Sequence, residues 1–388
     1  MIAAGLINAK LFPFFYFPIL LIIKRFHNEL SSNKYAINLA DIGVVLISMY
    51  ETISVFLPGH LGVSHQIESI QRILFVSILW FFFRLIIANK EQIKQIVYAL
   101  SIATGVLSVL TIFYYVKHKQ FVMDLGLDDM ISFRSFYHPL GFISNDWVAL
   151  LLCLMPMPVV SIINSDSFIK IAIHSLSYYL VVVSILISFS RGAYLSLLIF
   201  LVMVIVLSNA FRYNYRKKVN IVTVTVLIMT CITIYPDRNN VISTCEMSKT
   251  TVQRQSIQGR ISKWDESLFL FKQSPVFGVG TGNYSVAYDF YAKEKRSTVT
   301  RRSTNSYLQM LVEKGIVGSF VIVIALLFIM VESVKSVISD KRKIPLLLAV
   351  LSISFREFFF STFFEENRMQ LLCAILLLLI IHTPSNYE

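Results

Sequence analysis

From residue 175 to 208 the chain is almost entirely apolar and carries one charge, Arg191. A helix needs about 20 apolar residues to cross the hydrocarbon of a bilayer. This run is therefore too long for one crossing and too apolar for a solvated surface. Its interruption, Ser190-Arg191-Gly192, reads as a tight turn between two membrane helices. Composition extends the argument to the whole chain. Hydrophobic residues make up 56% and charged residues 15%, against about 25% charged in a soluble domain. The missing charge implies a surface that faces lipid.

Spans are expected at about 4–23, 36–57, 70–88, 95–116, 146–163, 169–189, 193–210, 220–236, 307–333, 345–363 and 368–383. This is an all-α polytopic membrane protein with about eleven crossings, within a range of ten to twelve. The first apolar run has no basic stretch before it and no small-residue cleavage site after it, so it reads as a span rather than a cleaved leader. If the spans alternate, the short basic loops fall on one side. They carry Lys24, Arg25 and Lys34; Lys90 and Lys94; Lys170; Arg212, Arg216, Lys217 and Lys218; and Lys335, Lys341, Arg342 and Lys343. The positive-inside rule makes that side the cytoplasm. It also accounts for the net charge of +12 without nucleic acid. The loop at 58–69 has no Lys or Arg, and 364–367 reads Phe-Glu-Glu-Asn, as the opposite side should.

The chain divides on this reading into N-terminal helices (1–133), central helices with the Ser-Arg-Gly turn (134–236), a large outer loop with short helices (237–306) and C-terminal helices (307–388). The large loop holds eleven Lys/Arg and six Asp/Glu. Beyond the cytoplasm there is no ATP, so a basic surface there serves an anionic lipid, a phosphate or a polysaccharide. Cys153, Cys231, Cys245 and Cys373 show no CxxC spacing, which suggests neither zinc nor a disulfide framework.

Polar motifs cluster toward the outer side. Arg191 at the turn is costly at that depth unless it is paired or binds an anion; its bland alternative is a turn arginine reaching headgroups. In the loop, Gly259-Arg260-Ile261-Ser262-Lys263-Trp264 leads through Leu268-Phe269-Leu270-Phe271 to a glycine-rich stretch ending Gly278-Val279-Gly280-Thr281-Gly282-Asn283-Tyr284. Residues 261, 264, 268 and 271 fit an interfacial helix anchored by Trp264. Glycines at 278, 280 and 282 permit tight turns. No strand and crossover helix accompany them, so a dinucleotide site is rejected. Thr304-Asn305-Ser306-Tyr307-Leu308-Gln309 opens the ninth span, followed by Glu313, Lys314, Gly315 and Gly318. Glu313 and Lys314 also read as an interfacial ion pair.

Asn145 and Asp146 open the fifth span and also suit a helix cap; Arg134, Tyr137 and His138 precede them. Arg356 and Glu357 lie inside the tenth span and are natural partners for each other, with Glu365, Glu366 and Arg368 across the next turn. Asp41, Glu51, Arg72 and Arg84 read as structural pairing.

In this order, Ser190-Arg191-Gly192-Ala193, Arg260 with Trp264, Pro275-Val276-Phe277-Gly278-Val279-Gly280 with Gly282-Asn283, and Asn305-Ser306-Tyr307-Leu308-Gln309 with Glu313-Lys314-Gly315-Ile316-Val317-Gly318 resemble the O-antigen polymerase and O-antigen ligase superfamily of bacterial membrane glycosyltransferases. The resemblance covers roughly residues 134–320, with Phe142 to Asn145 as a fainter feature. It implies a polyprenyl-diphosphate-linked oligosaccharide as donor at the periplasmic face of the inner membrane, attacked at its anomeric carbon by a sugar hydroxyl. It implies no cofactor and no metal, contact with membrane lipid, and a partner protein that sets chain length. Arg191, Arg260 and Glu313 are then the expected catalytic residues, with the arginines gripping diphosphate in bidentate fashion. Arg134, His138, Asn145, Lys263, Asn283, Asn305, Tyr307, Arg356 and Glu366 are the expected substrate-binding residues.

Ligases of this superfamily usually carry a histidine where this chain has Thr304, and no histidine lies between His174 and His382. That favours a polymerase, and leaves Glu313, Glu366 or no residue at all as the base. The ligase stays open as an alternative, as does a lipid-saccharide transporter. Against the transporter stand the absence of internal symmetry and the placement of the motifs at one face.

Overall fold

The structure is a computed structural model, described over residues 37–57, 63–86, 90–124, 144–208, 213–245, 251–291, 303–358 and 367–381. The first expected span lies outside the described residues, as do Arg134, Tyr137, His138, Glu365 and Glu366. Regular structure among the described residues is helical throughout: α1 (Leu39–Ser54), α2 (Val63–Ile86), α3 (Lys90–Asp124), α4 (Ser144–Leu154), α5 (Pro156–Ile163), α6 (Phe168–Leu186), α7 (Arg191–Leu207), α8 (Tyr213–Ile234), α9 (Arg238–Cys245), α10 (Thr251–Gln273), α11 (Tyr284–Tyr291), α12 (Ser306–Ser339), α13 (Ile344–Arg356) and α14 (Asn367–Ile381). Over their described residues, the ten expected spans after the first each overlap a helix. Five helical stretches are long and apolar enough to cross a membrane: Glu91–Gln120, Asn145–Ile163, Phe168–Leu186, Tyr215–Asp237 and Ser306–Ser339. Arg191–Leu207 and Gln370–Ile381 are shorter apolar helices. At 1.5 Å per residue α7 is about 25 Å long, just short of the hydrocarbon thickness.

The α4–α5 stretch is apolar on every side and accordingly is buried on nearly every side. Pro156 and Pro158 sit at the start of α5, where a missing backbone donor costs least. Around this central stretch pack Val181, Val182 and Ile185 of α6, Leu197, Phe200 and Val204 of α7, Val226 of α8, Ala349 and Ile353 of α13, and Leu379 of α14. Small hydroxyls join the helices: Ser184 donates to the Ser108 carbonyl at 3.1 Å, Ser196 to the Ser352 carbonyl at 3.2 Å, and the Trp147 indole to Thr111 at 2.8 Å. Such bonds suit helices that lack a hydrophobic drive to associate. On the outside of α3, Ile102, Val106, Val109, Phe113 and Val116 are exposed, as a lipid-facing stripe would be.

Among the described residues, Lys94, Lys170, Lys218 and Arg342, from four of the basic loops, lie at one end of the bundle. Lys94 and Lys170 both lie over the Tyr98 ring, at 5.8 and 5.7 Å. Tyr98 donates to the Asn164 carbonyl at 2.8 Å, Lys218 to that of Ser165 at 2.7 Å, and Arg342 to the Asn164 side chain at 3.4 Å. Helices α6 and α13 start at this end, so Ser190 and Arg356 stand at the other.

Nearer the N-terminus the expected pairing takes a specific form. Asp41 closes a capping box with Asn38, accepts from the Trp80 indole at 3.0 Å and pairs with Arg84. Glu51 pairs with Lys314 on α12 instead.

Candidate functional site

The turn from α6 to α7 is built by Phe189, whose φ of 50° lies in the left-handed region. A bulky residue there is strained; its ring is held by burial against Tyr115, 6.1 Å away. Strain of this kind persists where surrounding structure over-determines it, often at functional sites. Its effect here is to turn Ser190 inward as the N-cap of α7, where its hydroxyl donates to Asn145 at 3.4 Å. Arg191 follows, half-buried, with no hydrogen bond or ion pair among the described residues.

Four other elements converge on this point. Arg356, at the end of α13, is fully buried; it donates to the Asn145 carbonyl at 2.7 Å and to Glu357 at 3.2 Å. Glu357 accepts from the Ser306 hydroxyl, and its carbonyl accepts the Ser306 N–H at 3.0 Å, which fastens the start of α12 to the end of α13. Asn305 caps α12 by accepting from the N–H groups of Tyr307 and Leu308. Tyr307 donates to the Ser354 carbonyl at 2.7 Å and packs against Phe358, ring centroids 4.4 Å apart and tilted by 36°.

Arg260 on α10 completes the cluster. Burial first, then the charges of Arg191 and Arg356, push its guanidinium below the usual arginine range. Arg191 and Arg356 thus each lie within electrostatic reach of Arg260. Glu357 and Asp146 act on Arg356 with opposite charge. Cations crowded in this way favour an anion between them, and guanidiniums match the geometry of phosphate.

The sequence-predicted residues thus separate into two groups. Asn145, Arg191, Arg260, Asn305, Tyr307 and Arg356 come together; Lys263 lies one turn along α10 from Arg260. Asn283 and Glu313 belong to a joint deeper along α12. That helix breaks at Gly315, where φ is 62°. Into the break fits the segment from Ser274 to Asn283. Val279 and Gly280 donate to the carbonyls of Val312 and Glu313 at 3.0 and 2.9 Å. Ile316 and Val317 donate to those of Pro275 and Val276 at 2.9 and 3.1 Å. Loop backbone thus replaces the helical bonds lost at the kink.

Glu313 spends both carboxylate oxygens inside this joint, on the Gly282 N–H at 2.9 Å and on Gln309 at 3.0 Å, and is 2% exposed. Asn283 is fully buried, donates to the Val279 carbonyl and starts α11. The sequence expectation set Glu313 beside the chemistry and Asn283 on the substrate; the structure shows both side chains bonded within this joint. Glu313 and Lys314 do not pair with each other either. Adjacent helical residues diverge by about 100°, so Lys314 points to Glu51, with Thr281 bridging them at 3.0 Å from the ammonium and 2.6 Å from the carboxylate.

Sequence reasoning missed this partnership, although each of the two is a charge in an apolar segment and such charges seek one another. Both side chains are 1% exposed. Lys314→Met leaves Glu51 buried and unpaired, and is expected to cost about 3–5 kcal/mol. Adding Glu51→Gln should recover much of that loss. Thermal unfolding of the purified variants checks both; equal stability of single and double variants would refute the assignment.

On α10 the described residues divide into an exposed and a packed face. Ile261 and Leu268 are exposed, while Ser267 and Leu270 are buried and Trp264 is half-buried. The face packed on the protein is therefore the one bearing Arg260, Trp264 and Ser267, because the polar contacts of Ser267 draw it inward. Ser267 shares a hydrogen bond with Tyr284 at 2.7 Å.

Residues 176–323 match a family model described as O-Antigen ligase. No curated protein matches the chain. The matched segment includes Arg191, Arg260 and the joint at Gly315, and supports the O-antigen polymerase and ligase superfamily for this chain.

Proposed function

We propose that this member of the O-antigen polymerase and ligase superfamily joins polyprenyl-diphosphate-linked oligosaccharide repeat units at the periplasmic face of a bacterial inner membrane. The observation that supports the proposal is the meeting of the Arg191 turn and Arg356 on Asn145, which accepts from the Ser190 hydroxyl and from Arg356, with Arg260 in electrostatic reach of both arginines. In the reaction, an acceptor sugar hydroxyl oxygen forms a bond to the anomeric carbon of the donor. The bond from that carbon to the lipid diphosphate breaks, the diphosphate leaves with the electron pair, and the hydroxyl proton is released. Negative charge grows on the diphosphate as the bond opens, and fixed guanidiniums aimed at it lower the barrier. Arg191 and Arg260 hold the diphosphate. Arg356, neutralised by Glu357 and fixed on Asn145, orients the turn that carries Arg191. Glu313 keeps the glycine-rich segment in place and takes no proton.

Thr304 supports the polymerase reading over the ligase on the same scaffold, since it stands where ligases usually carry histidine. A deletion strain separates the two. Loss of a polymerase leaves single repeat units on the lipid A-core, whereas loss of a ligase leaves polymer on the carrier lipid. Polymer on the carrier in the deletion strain would overturn the polymerase assignment.

A further inference from the structure

Helices α3 and α6 touch at Gly105, where a Cβ would come within 2.6 Å of the Ser177 hydroxyl. Beside this contact an apolar groove of about 350 Å³ opens, walled by Ile102, Val106 and Val109 of α3 and by Ile173, Leu176 and Leu180 of α6. Ile102, Val106, Val109, Ile173 and Leu176 are exposed, so the groove faces outward from the bundle. Ser177 offers it no free hydroxyl proton, because its hydroxyl donates to the Ile173 carbonyl at 3.2 Å.

At one end the groove meets charge. Tyr98 stands one turn before Ile102 on α3, and Lys170 one turn before Ile173 on α6. Lys94 and Lys170 reach the same Tyr98 ring, at 5.8 and 5.7 Å. That ring is fixed: its hydroxyl donates to the Asn164 carbonyl at 2.8 Å, and it packs 4.9 Å from the ring of His174, which bonds Ser101 at 2.8 Å. Lys170 forms no ion pair among the described residues. Lys94 reaches Glu91 only at 4.0 Å, and Glu91 is largely exposed. Lys170 also lies in the first turn of α6, whose N-cap Ser167 makes no side-chain capping bond. A cation there adds to the positive end of the helix instead of offsetting it. Two ammonium groups and a helix start that share one place favour an anion among them.

We infer that the α3–α6 groove is a binding site for an anionic phospholipid, with the headgroup phosphate on Lys94 and Lys170 and an acyl chain laid along the apolar walls. A chain that leaves the bilayer for this groove exchanges one apolar setting for another and gains little. The lysines therefore decide which lipid is held, as in other basic pockets between membrane helices. The site lies at the end of the bundle opposite Ser190 and Arg356, so it stands apart from the proposed diphosphate site.

The test uses full-length protein purified in detergent, with bound lipid counted by native mass spectrometry. The probes are phosphatidylglycerol, phosphatidylcholine and inorganic phosphate. The unchanged protein is expected to prefer phosphatidylglycerol to phosphatidylcholine about ten- to thirtyfold, the preference that two lysines near a lipid surface supply. Lys94→Gln with Lys170→Gln should abolish that preference. Lys217→Gln with Lys341→Gln removes the same charge from exposed positions in other basic loops and should leave it intact. Val106→Trp fills the groove with the lysines untouched and should weaken phosphatidylglycerol severalfold. Equal binding of both lipids by the unchanged protein would overturn the site. Equal loss of preference in the two lysine pairs would overturn it too, in favour of general surface charge. If inorganic phosphate displaces phosphatidylglycerol and Val106→Trp binds normally, the groove holds no lipid chain and the lysines are a phosphate site alone.

Discussion

Arg191→Ala is expected to reduce long-chain polysaccharide by about 10²–10³-fold, the loss that follows removal of one preorganised donor to a developing anion. The protein should still accumulate in membranes, because Arg191 makes no hydrogen bond or ion pair among the described residues that its removal would break. Arg191→Lys keeps the charge and loses the bidentate fork, so it should fall between the two. The polysaccharide ladder on a gel, beside an immunoblot of the membrane fraction, reads the outcome. A ladder of unchanged length and amount in Arg191→Ala would remove Arg191 from the site. Arg356 is a useful contrast. Its removal strands Glu357 in a buried position and frees the Asn145 carbonyl, so Arg356→Ala should lower the unfolding temperature as well as the product.

The second large effect concerns Gly315. A Cβ there would overlap the backbone of Val276 and the Gly278 amide, and φ is 62°. A left-handed non-glycine residue costs about 1–2 kcal/mol and overpacking about 1–3 kcal/mol more. Gly315→Ala should therefore destabilise the joint by about 3 kcal/mol. Gly278 faces the same problem from the other side, since its Cβ would meet the Glu313 carbonyl. Two measurements apply: thermal unfolding of the purified variant, and limited proteolysis between Ser274 and Asn283. A variant as stable and as protected as the unchanged protein would show that the break in α12 does not depend on the loop.

Much of the scaffold was legible because its causes are local. A run of apolar residues without charge declares a membrane helix, and Ser190-Arg191-Gly192 interrupting such a run declares a turn. Arg356 drew notice because a charge inside an apolar segment needs a partner, and Glu357 is that partner. The joint at Gly315 was only half legible. The glycines at 278, 280 and 282 announced unusual backbone, and φ is indeed positive at all three. What they turned toward could not be read, because the bonds at Gly278 and Gly280 run from backbone to backbone and leave no side-chain signature. The same holds for Glu51 and Lys314, whose 263-residue separation gives no spacing to recognise. Glu313 was hard to read for a related reason: the Gly282 N–H that donates to its carboxylate is a backbone group 31 residues away and leaves no signature.

The break at Gly315 has a bearing on how such a protein can change its substrate. The stretch of α12 before the break follows the Asn305 cap and carries Ser306 and Tyr307, and it is welded to the glycine-rich segment mainly through peptide groups, with Glu313 and Lys314 the side chains that join them. Peptide groups are common to every residue. Side chains elsewhere in the large loop can therefore be exchanged without loosening the weld, provided the glycines at the seam remain. The scaffold separates two demands that usually compete: what holds the start of α12 rigid is encoded in a few glycines with Glu313 and Lys314, and the rest of the large loop is left open to variation.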